Sequence, residues 1–193
     1  MEPFCPQCRP VHEQLQAAFR QEETHRELLR RLTGNPKADV PFPGITVVRS
    51  SPTTTGTIAM PGGRLAFWAT DPPALESFIT QLARLAIPLG LAGIATDDSP
   101  SAALARWNAI LLGLRLEPPV MLGAIVGWVT ESGEVAVARA GLASPILRRG
   151  ETVKPLNVPG PYLGAYEAEF PTATLSMLPG DELHLPGLML RKP

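Results

Sequence analysis

Between Pro119 and Asp181, apolar and polar residues alternate in short runs separated by turn residues, the period of strands rather than of helices. Val120–Thr130 predicts a strand, Glu131-Ser132-Gly133 a turn and Glu134–Ala140 the returning strand. Gly141-Leu142-Ala143-Ser144-Pro145 leads into Ile146-Leu147-Arg148-Arg149, followed later by Pro161-Tyr162-Leu163-Gly164 and Leu178-Pro179-Gly180-Asp181-Glu182-Leu183. Upstream, Ile45–Ser50 is a β-branched strand. Ile58–Met60 and Arg64–Ala69 form a hairpin around Pro61-Gly62-Gly63. The period then changes. Pro72–Ile87 opens on a proline and carries Leu75, Phe78, Ile79, Leu82 and Leu85 on one helical face. A second helix runs from Ser101 to about Leu114, behind the N-cap signal Asp98-Ser99-Pro100. Strands, two consecutive helices and more strands specify an α+β domain rather than alternating β-α units.

The first 36 residues have a different character. Residues 1–10 hold three prolines and both cysteines and read as an irregular tail. Val11–Leu32 lacks Gly and Pro, is rich in Glu, Gln, Arg and Leu, and is stopped by Gly34-Asn35-Pro36, which predicts a helix. Leu15, Ala18, Leu29 and Leu32 fit a heptad seam, whereas Glu22 and His25 interrupt it. The expected organisation is a tail and helix over 1–36 and one domain over 37–193, entered through a Pro-rich connector. The helix is expected either to pair with a second copy or to lie on its own domain.

Composition narrows the function classes. Hydrophobic residues make up 45% of the 193 and charged residues 18%, so the chain is globular. A formal net charge of −1, with no basic stripe, argues against a nucleic-acid partner. No membrane partner is expected either, because the longest apolar stretch, Leu82–Ala95, is broken by Arg84 and Pro88 and is too short to span a bilayer. The start Met-Glu-Pro-Phe-Cys lacks signal-peptide features, and two cysteines build no disulfide framework. A reduced, cytoplasmic setting follows as the expectation.

Familiar catalytic patterns are missing. There is no Gly-x-Ser-x-Gly elbow, Walker loop or dinucleotide fingerprint. Cys5-x-x-Cys8 with His12 offers three zinc ligands where a structural site needs four, so a flexible tail with free thiols competes with Cys5 and Cys8 as metal ligands. Asp97-Asp98, directly before Ser99-Pro100, fits helix capping better than a catalytic pair. His184 alternates with Leu183 and Leu185, which places it on a polar strand face. Trp68, Trp107 and Trp128 are expected in the core.

The order of these elements resembles the SpoIIE/RsbU branch of the PPM-superfamily protein serine/threonine phosphatases, over about residues 37–185. The similarity rests on Val40-Pro41-Phe42-Pro43-Gly44-Ile45, Ser51-Pro52, Ser99-Pro100 with Asn108, Ala140-Gly141-Leu142, Pro161-Tyr162-Leu163-Gly164 and Pro179-Gly180-Asp181. It implies two mainly antiparallel sheets packed face to face and flanked by helices, an αββα sandwich. It also implies manganese or magnesium held by converging carboxylates, since hard cations take oxygen ligands. The carboxylate positions are largely replaced here. The family's first acidic turn reads Thr53-Thr54-Thr55-Gly56-Thr57, and the second, Ala69-Thr70-Asp71-Pro72, keeps Asp71 alone. The family's Tyr-Thr-Asp-Gly turn is similar to Leu183-His184-Leu185-Pro186-Gly187, with Pro186 in the Asp position. Leu142 stands where a His is usual, and Leu188–Arg191 is expected to be the last strand after a deletion. No catalytic residue and no cofactor are therefore expected; Asp71 is the single acidic position kept as a candidate metal ligand, beside Cys5 and Cys8 for zinc. The resemblance implies a degenerate domain that binds a protein partner in bacterial signalling, with the regulators around sigma-factor control as the partner class. The alternative is a working Mn- or Mg-dependent phosphatase with atypical ligands.

Overall fold

The computed structural model describes residues 42–50, 55–60, 62–70, 99–113, 115, 119 and 121–193. The chain divides into two units, Met1–Asn35 and Pro36–Pro193, and all described residues belong to the second. They form ten strands and one helix: β1 (Thr46–Arg49), β2 (Thr55–Met60), β3 (Arg64–Thr70), α1 (Pro100–Gly113), β4 (Ala124–Thr130), β5 (Glu134–Ala140), β6 (Ile146–Arg149), β7 (Thr152–Pro155), β8 (Ala173–Ser176), β9 (Glu182–Leu185) and β10 (Leu188–Arg191). The strands make two five-stranded sheets, in orders β2-β3-β4-β5-β8 and β1-β10-β9-β6-β7. Every strand pairing is antiparallel.

Side-chain alternation explains how the layers stack. Leu65, Phe67 and Ala69 of β3, Ile125 and Val129 of β4, and Val135 and Val137 of β5 face the same way. They meet Val47, Leu183, Leu185, Leu188 and Leu190 of the other sheet in one continuous core. The opposite face of the first sheet presents small residues, Ala124, Val126, Ala138 and Ala140, and these let α1 pack close through Ala103, Leu104 and Leu111. Burial on both faces is why β4 and β5 read as nearly unbroken apolar runs.

The predicted hairpins are present, and their turns are set by backbone chemistry. Gly62 and Gly63 take positive φ between β2 and β3, and Gly133 does so between β4 and β5. Pro186 and Gly187 alone join β9 to β10, because Leu185 pairs directly with Leu188; Gly187 has φ 75°. Helix α1 starts as the Ser-Pro signal implies. Ser99 Oγ accepts the Ala102 N–H at 3.2 Å, and Pro100 occupies the first turn, where a missing N–H costs nothing.

Two expectations are corrected. The strand expected from Val120 begins at Ala124; before it, Leu122 makes an isolated bridge to Leu163, which diverts the chain into a loop contact. The three tryptophans are half-buried rather than core. Trp68 and Trp107 border the helix-side cluster, and Trp128 lies under the Arg64 guanidinium, 4.6 Å from its ring centroid. The helices expected at 11–32 and 72–87, the Cys5/Cys8/His12 group, Asp97-Asp98 and Asp71 lie outside the described residues.

Candidate functional site

Four turns that the sequence singled out converge on one end of the sandwich. Register places Thr55, Ala69, Ile125 and Arg139 in one row across β2-β3-β4-β5, and Thr70 pairs with Ala124, which pairs with Ala140. The start of β2, the end of β3 and the Ala140-Gly141-Leu142 turn therefore lie side by side. The other sheet adds the Pro186-Gly187 turn: the Gly187 carbonyl accepts the Ser50 N–H at 3.0 Å and the Thr55 hydroxyl at 3.4 Å. That carbonyl ties the two sheets together where the resemblance would set carboxylates.

Apart from the Arg139 guanidinium, the groups named at this end are neutral and mostly buried. Thr55 and Thr70 are buried. Thr57 Oγ1 is buried with no hydrogen-bond partner among the described residues. Leu142 is a member of the inter-sheet core, so the position expected for an imidazole contributes apolar packing instead. The Leu142 carbonyl accepts a hydrogen bond from Arg139 Nη1, and the Val158 carbonyl accepts one from Arg139 Nε. Among the described residues, no three His, Cys, Asp or Glu side chains gather as a metal-binding group. A pair of hard divalent cations needs several convergent anionic oxygens. Among the described residues, the hydroxyls, backbone carbonyl, leucine and proline gathered here do not by themselves meet that requirement.

One rim of this end is a pinned loop. The Gly160 carbonyl accepts the Gly141 N–H at 3.0 Å, and Leu122 and Leu163 exchange backbone bonds at 3.0 Å. From α1, Asn108 Nδ2 donates to the Tyr166 carbonyl at 2.9 Å, while Asn108 Oδ1 accepts the Gly164 N–H at 2.7 Å. Asn108 is thus a buried clasp between helix and loop, which gives a physical role to the asparagine that the resemblance marked. A Cβ on Gly141 would strike the Tyr162 ring, so only glycine allows the ring to lie on that turn.

Charge is concentrated on the other sheet. Buried Asp181 takes a fork of bonds from Arg149, with Nε at 3.0 Å and Nη2 at 2.7 Å, plus the Leu178 N–H at 2.8 Å. The Arg149 bond, helped by the Leu178 N–H, holds the Asp181 carboxyl below the usual range against the opposing effect of burial. This Asp is a structural brace, locking the Pro179-Gly180 turn to β6. Its partner was not evident from the sequence, because Arg149 and Asp181 meet only once β6 pairs with β9. His184 lies half-exposed on β9 as expected, its Nε2 2.9 Å from Glu182 Oε2. Arg191 is the largest influence depressing the Glu182 pKa, followed by His184.

Comparison with known proteins places this arrangement. The RsbU and RsbW domains of Rv1364c from Mycobacterium tuberculosis are similar at TM-score 0.58 and 18% identity, over 74% of this chain and 43% of that one. The PP2C phosphatase domain and regulatory fragment of SpoIIE from Bacillus subtilis give TM-score 0.54 and 14% identity, over 72% and 43%. The S. agalactiae serine/threonine phosphatase gives 0.55 and 12%, over 72% and 77%. At these identities the likeness is one of fold, and the chain spans less than half the length of the first two. No curated protein is significantly similar in sequence. The family model for Stage II sporulation protein E (SpoIIE) matches residues 77–185, more than half of the chain, and the protein belongs to that family, with a PPM-type two-sheet fold.

Proposed function

We propose that this domain is a non-catalytic SpoIIE/RsbU-type domain, a protein-binding or regulatory module in bacterial signalling. The observation that carries this reading is the closure of Thr55 Oγ1 on the Gly187 carbonyl, at the junction of turns where the family resemblance sets metal-binding acids. The inward packing of Leu142 supports it from the neighbouring turn. Fold and chemistry are separable, and a retained scaffold can serve recognition alone. The similar M. tuberculosis structure holds an RsbU together with an RsbW domain, which favours a protein partner from such regulatory sets. Among the described residues, no helix is long and apolar enough to cross a membrane. The cytoplasmic setting and a dimer through residues 11–32 complete the reading as expectations from sequence.

The second reading is a metal-dependent serine/threonine phosphatase that uses Asp71. Family membership favours it, as does the position of Asp71 in sequence directly after Thr70, at the end where the four turns meet. The two readings separate in one assay. The purified chain with p-nitrophenyl phosphate and manganese is expected to give no turnover above the protein-free blank. Metal-dependent turnover that disappears in Asp71→Ala would replace the first reading with the second.

A further inference from the structure

The outer face of the sheet β1-β10-β9-β6-β7 combines two features that matter together. Register sets two adjacent rows of side chains across all five strands. One row is Val48, Met189, His184, Ile146 and Pro155; the other is Thr46, Arg191, Glu182, Arg148 and Val153. The opposite face of these strands, through Val47, Leu147, Leu183 and Leu190, packs in or against the core, so both rows point away from it. Val48, Ile146 and Val153 are exposed, at 46%, 38% and 61%. Ile146 and Val153 are diagonal neighbours on paired strands, and Met189 continues the apolar row from Val48, so the face offers apolar contact beside its charged groups.

The charges on the face are unevenly satisfied. Arg191 donates twice to Glu182 Oε1, and His184 occupies Oε2 at 2.9 Å. Arg148 comes third. It approaches Oε2 no closer than 3.7 Å, and its one hydrogen bond, from Nε to the Gly150 carbonyl, is 3.4 Å long. Its terminal NH₂ groups make no hydrogen bond among the described residues, and its side chain is 57% exposed beside Ile146. A guanidinium with free forked donors next to an apolar row is complementary to a carboxylate carried on an apolar element.

We propose that this face docks a short amphipathic helix of a protein partner, its apolar stripe on Val48, Met189 and Ile146 and a flanking Asp or Glu on Arg148. Five strands span about 19 Å, the length of roughly 13 helical residues. The footprint is on the order of 300 Å², far below the ~800 Å² per side of a stable protein pair, so the contact is a weak, reversible one. A second copy pairing through this same face is the poorer occupant, because among the described residues Glu182 is the one carboxylate in these rows and its oxygens are already bonded. This inference rests on the binding-module reading and names its surface. Phosphatase turnover would overturn that reading without touching this face, and failure at this face would restore no activity.

The test uses the full-length ¹⁵N-labelled protein and two 14-residue synthetic helical peptides that share a leucine stripe, one flanked by glutamates and one by lysines. The glutamate peptide is expected to shift the amides of Ile146, Arg148, His184 and Met189, and to bind at least tenfold tighter than the lysine peptide. Arg148→Gln is expected to erase that preference. Equal binding of both peptides, or shifts elsewhere on the protein, would overturn the proposal. So would recruitment to anionic phosphatidylglycerol vesicles in place of the peptide, or a sedimentation-measured dimer that Ile146→Ser dissociates. Ile146→Ser should leave the Tm of the unbound chain within 2 °C; a fall beyond 5 °C would mean that another part of this chain already covers the face.

Discussion

Asn108 gives the sharpest test of how the rim of the candidate site is held. Its side chain is buried and satisfies two backbone groups at once, the Gly164 N–H at 2.7 Å and the Tyr166 carbonyl at 2.9 Å. Asn108→Ala removes both partners and puts nothing in their place. Gly164 is buried, so its N–H is left unsatisfied at the full desolvation cost, whereas Tyr166 is exposed and its carbonyl rehydrates more easily. The expected loss is about 2–4 kcal/mol, which in a domain of this size lowers the Tm by roughly 5–12 °C. Asn108→Asp keeps the acceptor for Gly164 but sets a buried carboxylate against the Tyr166 carbonyl. Its folded-state pKa is then raised above the unfolded value, so its handicap shrinks as pH falls and grows as pH rises through the folded pKa. Thermal denaturation followed by circular dichroism reads the first effect, a pH series reads the second, and hydrogen exchange at the Gly164 amide locates both. An Asn108→Ala Tm within 2 °C of wild type, with Gly164 still protected, would refute the idea that this side chain clasps the loop to α1.

Further predictions follow from the same geometry. Asp181→Asn removes the charge from the Arg149 fork and is expected to cost about 2–3 kcal/mol near neutral pH, measured by urea denaturation. Because the folded-state pKa of Asp181 is depressed, its contribution is present above the ordinary carboxylate range and is lost as pH falls through the folded value; the mutant should lack that acid limb, and an unchanged acid profile would count against the brace. Gly127→Ala drives a Cβ into the Phe67 ring and the Ala136 carbonyl at the centre of the sheet, with an expected destabilisation of about 1–3 kcal/mol; a neutral result in the same titration would mean that the core yields more than its packing implies. Thr55→Asp buries an uncompensated carboxylate beside the Gly187 carbonyl and is expected to cost on the order of 3–5 kcal/mol, with 1 mM manganese leaving the Tm unchanged. Recovery of the Tm with manganese would reveal a latent metal site and sink the non-catalytic reading.

Local chemistry was legible in the sequence, and long-range pairing was not. The β2-β3 and β4-β5 hairpins announced themselves because glycine-bearing turns separate runs of the right period, and α1 because Ser99-Pro100 is a start signal with a physical mechanism. Strand order in the other sheet carried no such signal. β1 pairs with β10 and β6 with β9, partners far apart along the chain that only the shared core selects. The same distance hid the Arg149–Asp181 brace, because a charged residue in a strand does not announce its partner. The tryptophans were misplaced for a related reason: each strand had two possible faces, and Trp68 and Trp128 lie on the face away from the inter-sheet core. At the candidate site, the absence of acids from two turns and the retention of Asp71 in another were readable residue by residue, whereas the bond from Thr55 to Gly187 was not.

On the proposed non-catalytic reading, that bond bears on how the scaffold holds together where the family resemblance sets acids. Carboxylates that converge on a metal pair repel one another when no cation is present, so a metal-binding end is a local burden on folding stability. Here the same end is built from groups that need no cation. Thr55 closes on a carbonyl, Leu142 adds to the core between the sheets, and Pro186 stiffens the two-residue turn that delivers Gly187. Each change is neutral, and two of the three join the sheets or their shared core. The shortened β9-β10 connection works the same way, since a two-residue turn holds Leu185 and Leu188 in register with little loop entropy. It also leaves the outer rows of that sheet, Val48 to Pro155 and Thr46 to Val153, facing away from the core. On the non-catalytic reading proposed above, the end that would hold metals serves as structural framework, and the neighbouring sheet face carries Arg148, whose terminal NH₂ groups make no hydrogen bond among the described residues. On that reading the retained scaffold serves recognition, since fold and chemistry are separable.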